Sequence, residues 1–252
     1  EEGEVRAGFR AVYGFREKHV QSLVKARREG GPFHDLADFV RRSGLNKSGL
    51  MQLAASGALD SLGLEPRQAL WKIQALSLDP HSLFFARAEE RADDHGLLPS
   101  EGEWRTLERE YETQGFSLVR HPLGLLRPAL ERWSQIERAR NSPAFTKAVN
   151  LGELRNGAPV RVAGLLSLQQ RPPTAKGFAF LTLEDETGTF NIVLLPDVYE
   201  RFRLVLLAGP LLHITGTLEK VEGLLNIKAR EIRGLPVEQM LAEPKPLSEH
   251  RQ

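Results

Sequence analysis

Residues 176–196 read Lys-Gly-Phe-Ala-Phe-Leu-Thr-Leu-Glu-Asp-Glu-Thr-Gly-Thr-Phe-Asn-Ile-Val-Leu-Leu-Pro. Two runs rich in β-branched and aromatic residues flank an acidic turn that ends in Gly188, the pattern of a β-hairpin. A third run precedes them at 161–170, and two more follow at 211–219 and 224–232. The runs alternate with period two. Phe190, Ile192 and Leu194 fall on one side, Asn191, Val193 and Leu195 on the other. Val160, Val162, Gly164, Leu166 and Leu168 share a side, against Arg161, Ala163, Leu165, Ser167 and Gln169. Both sides are apolar in places, as in a strand that fills an interior and meets a neighbour outside. Residues 197–207 have helical character between the third and fourth strands.

Five strands with a helix after the third is the order of an OB-fold barrel, a fold that binds oligonucleotides across its second and third strands. Polymer rather than small-molecule chemistry is therefore expected. The candidate single-strand contacts are Arg161, Gln169, Arg171, Lys176, Phe178 and Asn191. The cations would track phosphates and an exposed ring would stack on a base. Arg171 and Lys176 lie in the loop 171–177, whose Pro and Gly should expose them. Phe178 and Phe180 are two apart and share a face; core packing is the favoured reading of the pair. Residues 221–223 form the turn between the last two strands. The trio Glu184-Asp185-Glu186 precedes Thr187-Gly188, so it reads as a turn cap rather than a metal site.

The chain has 252 residues, 41% hydrophobic, enough for about two packed domains. It has no cysteine, which excludes disulfides and thiolate zinc sites and fits a reducing, cytoplasmic setting. No run is long and apolar enough to span a membrane, and Glu1-Glu2-Gly3-Glu4 is not a signal peptide. Without a start methionine, residue 1 reads as a boundary inside a longer protein. The net charge of +1 is unevenly spread: residues 5–57 carry ten Lys/Arg against four Asp/Glu, 76–150 ten against twelve, and 155–234 ten against eight. A basic first segment suits a phosphate backbone, or simply a solvated helical surface.

Residues 1–75 read as short helices broken by Gly14, Gly30-Gly31-Pro32, Gly44 and Gly57. Asp35 and Asn46 sit where N-caps belong, and Pro66 opens a further helix. Tyr13-Gly14-Phe15-Arg16-Glu17 fits the glycine-hydrophobic turn of a helix-hairpin-helix, with 20–27 in its second helix. Such a turn brings backbone N–H groups and a helix N-terminus to a DNA phosphate. Arg16 replaces the usual second glycine and adds a phosphate-seeking charge. A second, less regular candidate spans residues 43–48. Gly14, Phe15, Arg16, Lys18, Gly44, Asn46 and Lys47 are the duplex-DNA candidates; an ordinary turn with a C-cap glycine is the competing reading.

Residues 76–150 read as a helical connector, with helices at 103–114 and 123–133, the second interrupted at Pro128, and Gly115 ending the first. Residues 151–234 form the barrel domain, and 235–252, with three prolines, a loosely held tail. No phosphate loop, nucleophile elbow, dinucleotide fingerprint or histidine pair at ligand spacing is present, so no catalytic residue, metal site or cofactor is assigned. Residues 80–85 end in Leu-Phe-Phe like peptides that bind sliding clamps, but lack their glutamine. Clamp contact is thus expected to be weak or indirect.

Three stretches carry a resemblance. Residues 12–17, 31–39 and 55–63 with Arg67 look like the tandem helix-hairpin-helix region of bacterial C-family DNA polymerases. Residues 110–118 with His121-Pro122-Leu123 are similar to the segment joining that region to the OB domain. The barrel, with 171–177 and 183–188, looks most like the error-prone ImuC branch. The match covers nearly the whole chain in the right order. It departs at Arg16, and at Leu194-Leu195, where an aromatic often stands. The resemblance implies an α+β protein: an N-terminal all-α tandem helix-hairpin-helix, a connector and a five-stranded OB barrel. It implies a damage-induced, translesion parent enzyme whose acidic metal triad lies upstream, so this segment would grip DNA without catalysing. The implied partners are duplex DNA, single-stranded template, and mutasome proteins such as a Y-family-like accessory subunit. A protein-docking module with little DNA contact is the alternative.

Overall fold

The computed structural model describes residues 8–75, 102–117, 120–138, 143–221 and 223–242. The chain forms two compact units, Glu1–Val119 and Arg120–Gln252.

The first unit is helical: α1 (Glu17–Gly30), α2 (Leu36–Ser43), α3 (Lys47–Ala55), α4 (Pro66–Ala75) and α5 (Glu103–Gln114). Its caps follow the sequence. The Asp35 carboxylate accepts the Asp38 N–H at 2.7 Å and opens α2; Asn46 accepts from Gly49 at 2.9 Å and opens α3. Gly44 and Gly115 close α2 and α5 in the left-handed conformation. Leu23, Phe39, Leu50, Leu53 and Ile73 build the core. Two side chains tie helix ends together. Ser22 donates from α1 to the last carbonyl of α2, Ser43. Arg42 donates to the carbonyls of Ala26, Gly31 and Pro32 and pairs with Asp38 at 2.7 Å, so one guanidinium closes the C-terminal end of α1. Helix α5 packs in this unit: Arg109 donates to the Ala55 carbonyl, Gln114 to Ser56, and the Tyr13 N–H to Thr113.

The second unit holds α6 (Pro122–Arg138), β1 (Pro159–Gln170), β2 (Ala179–Asp185), β3 (Gly188–Leu194), α7 (Pro196–Ala208), β4 (Leu211–Val221), β5 (Leu224–Gly234) and α8 (Val237–Leu241). The strands close into a barrel in the order β1-β2-β3-β5-β4, all antiparallel neighbours except β3 and β5. The inward side is Val160, Val162, Ala179, Leu181, Leu183, Phe190, Ile192, Leu194, Leu212, Ile214, Leu218 and Ile227. Two glycines permit the close packing. A Cβ on Gly164 would lie 2.8 Å from the Leu183 Cβ, and one on Gly216 would run into the Lys228 carbonyl, beside the β4 bulge. The residues expected as connector are thus divided between the two units.

Three expectations change here. The helix expected to break at Pro128 runs unbroken over 17 residues. Pro128 and Gly124, whose carbonyl loses its N–H partner, are both exposed. Leu123, Leu126 and Leu130, fully buried, hold the opposite side down. The start of the tail is not loose: Leu235 is buried, its N–H bonds the Leu211 carbonyl, and α8 packs against α6. The acidic trio does more than cap a turn. Asp185 accepts from the Thr187 N–H and hydroxyl and from Ala148. Glu186 receives a two-pronged bond from Arg127, 2.7 Å at each oxygen, with Lys147 at 3.5 Å. Burial alone would raise the Glu186 carboxyl, but Arg127 and Lys147 outweigh it and hold it below its ordinary value. Helix α6 is therefore clamped to the β2–β3 turn. Among the described residues, no helix is long and apolar enough to cross a membrane.

Arg127→Ala should cost the barrel about 2–3 kcal/mol, since it strands a partly buried carboxylate. Arg127→Lys should recover only part, because an ammonium cannot span both oxygens. Urea midpoints check this; a loss no larger than that of Arg233→Ala, whose pair with Glu231 is exposed, would contradict the clamp. Gly216→Ala should leave the barrel unfolded or strongly destabilised by circular dichroism while the helical unit still forms.

Candidate nucleic-acid interface

In the helical unit, Gly14 has φ 73 and turns the chain into α1. A Cβ there would lie 2.7 Å from the Gln52 side chain of α3, so the turn is pressed onto its neighbour. Phe15 is half-buried, its ring 5.8 Å from Phe9 and 5.4 Å from His19, which makes it an anchor of the turn. Arg16 occupies the N-cap of α1 without a side-chain capping bond, and Lys18 lies in the first turn; both are exposed. Two cations thus flank the positive end of a 14-residue helix, an arrangement that receives a phosphate.

The second turn is more regular than its sequence. It joins two full helices through Gly44 at φ 64 and buried Leu45. Its polar residues serve the fold: Asn46 is the cap of α3, and the Lys47 ammonium donates to the Gln74 carbonyl at 2.9 Å, at the end of α4. Of the seven duplex candidates, Arg16 and Lys18 present charge to solvent most plainly.

On the barrel, the expected face of the phenylalanines is reversed. Small Ala179 and the leucines Leu181 and Leu183 fill the interior, so β2 turns Phe178, Phe180 and Thr182 outward. Phe180 is 39% exposed, and Phe178 is half-buried. Register places Thr182 opposite Asn191, joined by a 3.3 Å hydrogen bond, Asn191 beside Asn226, and Val193 beside Lys228 and Phe180. Neighbours in register lie about 5 Å apart, so these side chains form one surface. On the β1 side, exposed Leu168 and Gln170 stand opposite Thr182 and Phe180, whereas Gln169 stands opposite inward Leu181 and does not join the surface; Lys176 is exposed in the loop that leads into β2. Val221 and Leu224, 55% and 64% exposed, stand at the β4–β5 turn. Thr182, Asn226 and Lys228 were missed from the sequence, and Phe180 was weighed there as a stacking ring but read with Phe178 as core. The alternation of Asn226, Lys228 and Arg230 with buried Ile227 and Ala229 was the available sign of the last strand's outer face.

Arg161 does not join this surface. It is 4% exposed, with its guanidinium 4.5 Å over the Trp133 ring and 4.1 Å over Phe145. Helix α6 covers the first half of β1, which explains why both sides of that strand are apolar. His213 completes the seam, 5.1 Å from Trp133. Burial, then the nearby Arg161 and Arg233, push it down to about 4 against the opposing Glu231. Arg171 is exposed but engaged, 4.5 Å over Tyr199 and 3.3 Å from Glu200. Among the described residues, no three His, Cys, Asp or Glu side chains are grouped to hold a metal. Residues 80–85 and the sequence Asp93-Asp94-His95 lie outside the described residues.

Paired hairpin turns followed by a closed five-stranded barrel of OB order define a nucleic-acid-binding architecture. Comparison with known families agrees: residues 1–69 match the helix-hairpin-helix motif, and residues 160–235 the OB-fold nucleic acid binding domain. Over about nine tenths of its length the chain is homologous to a segment of proteins named error-prone DNA polymerase. It is 38% identical to the error-prone DNA polymerase of Bdellovibrio bacteriovorus over 90% of this chain and 22% of that protein. For the proteins of the same name from Anaeromyxobacter sp. strain K and Bordetella parapertussis, identity is 36% and 39%, over 92% and 90% of this chain and 19% and 20% of theirs. The chain therefore spans about a fifth of the length of the curated relatives it matches. Among solved structures, asparaginyl-tRNA synthetase from Pyrococcus horikoshii aligns with a TM-score of 0.32 at 21% identity, over 36% of this chain and 22% of that one.

The seam makes acid stability a test of the barrel's build. Unfolded, His213 takes a proton near its ordinary 6.5; folded, only near 4. Its contribution is complete above about pH 6.5, shrinks as the pH falls toward 4 and is then gone, at most about 3 kcal/mol in all. His121, also lowered by burial, acts in the same direction. Glu186, held low, loses its contribution only below its ordinary 4.5. Urea midpoints of the barrel should therefore fall between pH 6.5 and 5, and His213→Gln should flatten that slope. An unchanged slope would contradict a buried neutral histidine.

Proposed function

We propose that this segment is the non-catalytic DNA grip of a translesion polymerase used in damage-induced synthesis. The hairpin side of the helical unit, led by Arg16 and Lys18 with the Gly14 turn, holds duplex backbone. The barrel holds single-stranded template. The observation that carries the reading is the outer face of β2, β3 and β5, where a ring (Phe180), hydrogen-bonding groups (Thr182, Asn191, Asn226) and a cation (Lys228) adjoin one another, with a second cation, Lys176, exposed in the loop that leads into β2. Stacking on the ring supplies sequence-tolerant affinity, and the cations follow the phosphates. No residue of the segment is assigned to nucleotidyl transfer, so that step belongs to the rest of the polymerase.

A second reading has its own observation. Leu204 and Leu207 on α7 are 70% and 80% exposed, an apolar pair suited to a partner of the mutagenic complex. That reading predicts little direct DNA contact.

Fluorescence anisotropy with labelled oligonucleotides across a salt series separates them. Phe180→Ala should weaken single-strand binding by roughly 5- to 100-fold. Lys228→Ala should lower the single-strand salt slope by about 0.7. Arg16→Ala with Lys18→Ala should weaken duplex binding and lower its slope by about 0.9 per lost contact. No salt-dependent binding at micromolar protein would favour docking, and nucleotide incorporation by the purified segment would refute a purely gripping role.

A further inference from the structure

The β1–β2 loop is anchored at both ends to the first turn of α7. At one end the Arg171 guanidinium lies 4.5 Å over the Tyr199 ring and 3.3 Å from Glu200. At the other, Gly177 packs so closely on Pro196 that a Cβ would lie 3.3 Å from the proline ring. The loop is also bonded within itself. The Ala175 N–H reaches the Pro172 carbonyl at 3.0 Å, and the Phe178 N–H reaches Ala175 at 2.9 Å. Pro172 and Pro173 restrict φ. Between the anchors, Lys176 holds φ 48 and ψ 36, the one non-glycine residue with positive φ among the described residues. A lysine keeps that conformation only where its surroundings over-determine it.

We infer that Arg171 is a positioning residue: stacked on Tyr199, it fixes the loop so that Lys176 meets a single strand's phosphates. The inference rests on the single-strand role proposed for the barrel face. The stack needs a planar guanidinium, which a lysine cannot supply. The exposed pair with Glu200 adds little alone, but a phosphate seeking Arg171 would have to displace it. A loop ordered in advance spares the complex the entropy of ordering it on binding.

The test uses the whole chain, a labelled oligothymidine and a salt series, with thermal melts as the folding control. Lys176→Ala removes a phosphate contact and should lower the salt slope by about 0.7. Arg171→Lys and Tyr199→Leu should each weaken binding by about 3- to 10-fold with the slope unchanged, because they cost order rather than a contact. Hydrogen exchange of the 175 and 178 amides should quicken in both. Tyr199 also packs on the barrel core, so if Tyr199→Leu melts early, Arg171→Lys decides. Wild-type affinity in Arg171→Lys, together with a slope loss of about 0.7 in Arg171→Ala, would make Arg171 a direct contact and overturn the inference alone. Absence of salt-dependent binding by the unmodified chain would overturn the inference and the single-strand role together.

Discussion

Closing a sheet of only five strands forces β1 and β4 to bend across a narrow interior, and two glycines make that possible. Gly164 leaves room for Leu183 and Phe190, whose atoms would lie 2.8 and 2.9 Å from any Cβ there, and Gly216 leaves room for the backbone of β5. Once the barrel closes, period two decides its surfaces except at the register shifts of the β1–β2 and β4–β5 pairs, the first of which carries Leu168 to the outside. What points in must be apolar and small enough, and what points out must meet either water or another element. Ala179 inside and Phe180 outside is a consequence of that closure: an interior already holding Leu181, Leu183 and Phe190 fills with a methyl at this position. The candidate interface is thus the complement of the core.

The same constraint explains helix α6. Ala163 and Arg161 sit on the outer side of β1, yet both are buried, so the outside of this strand needs a cover. Trp133 and Phe145 provide it and stack the Arg161 guanidinium between them. A charge is tolerable there because the rings are attractive to cations. Histidine 213 stays neutral beside it, for burial and two neighbouring arginines both oppose a second positive charge. At the far edge of the helix, Arg127 holds Glu186 at two points while Asp185 organises the turn and the Ala148 backbone. Two members of the acidic trio, Asp185 and Glu186, are thus engaged by an arginine, a hydroxyl and backbone N–H groups, while Glu184 lies 3.7 Å from His121.

Much of this was legible from residues. The five strands, the helix between the third and fourth, and the caps at Asp35, Asn46 and Gly115 followed from periodicity and local hydrogen-bonding chemistry. What escaped depends on long-range packing. Period two pairs Phe178 with Phe180, but cannot say which side closes inward. Pro128 breaks a helix in isolation, but three buried leucines on the opposite side outweigh one lost bond. Arg161 looks like a ligand contact until Trp133, 28 positions earlier, is folded over it. Lys47 and Asn46 look available to DNA until the carbonyl of Gln74 and the N–H of Gly49 engage them.

The two units therefore offer nucleic acid two different kinds of chemistry. The hairpin side presents charge and a helix end; Phe15 is turned into the turn's own packing, while Tyr13 beside it is 60% exposed. In the proposed role such a surface would recognise phosphate without regard to bases, with an affinity that decays steeply with added salt. The barrel face presents a ring and amides among its charges. Stacking needs an unpaired base, which a duplex does not expose, and it is less sensitive to salt. On the proposed function, selection between duplex and single strand would require no sequence reading by either unit. It would follow from what surrounds each feature: cations at the helix end that Arg16 and Lys18 flank, and hydrogen-bonding side chains around the ring on β2.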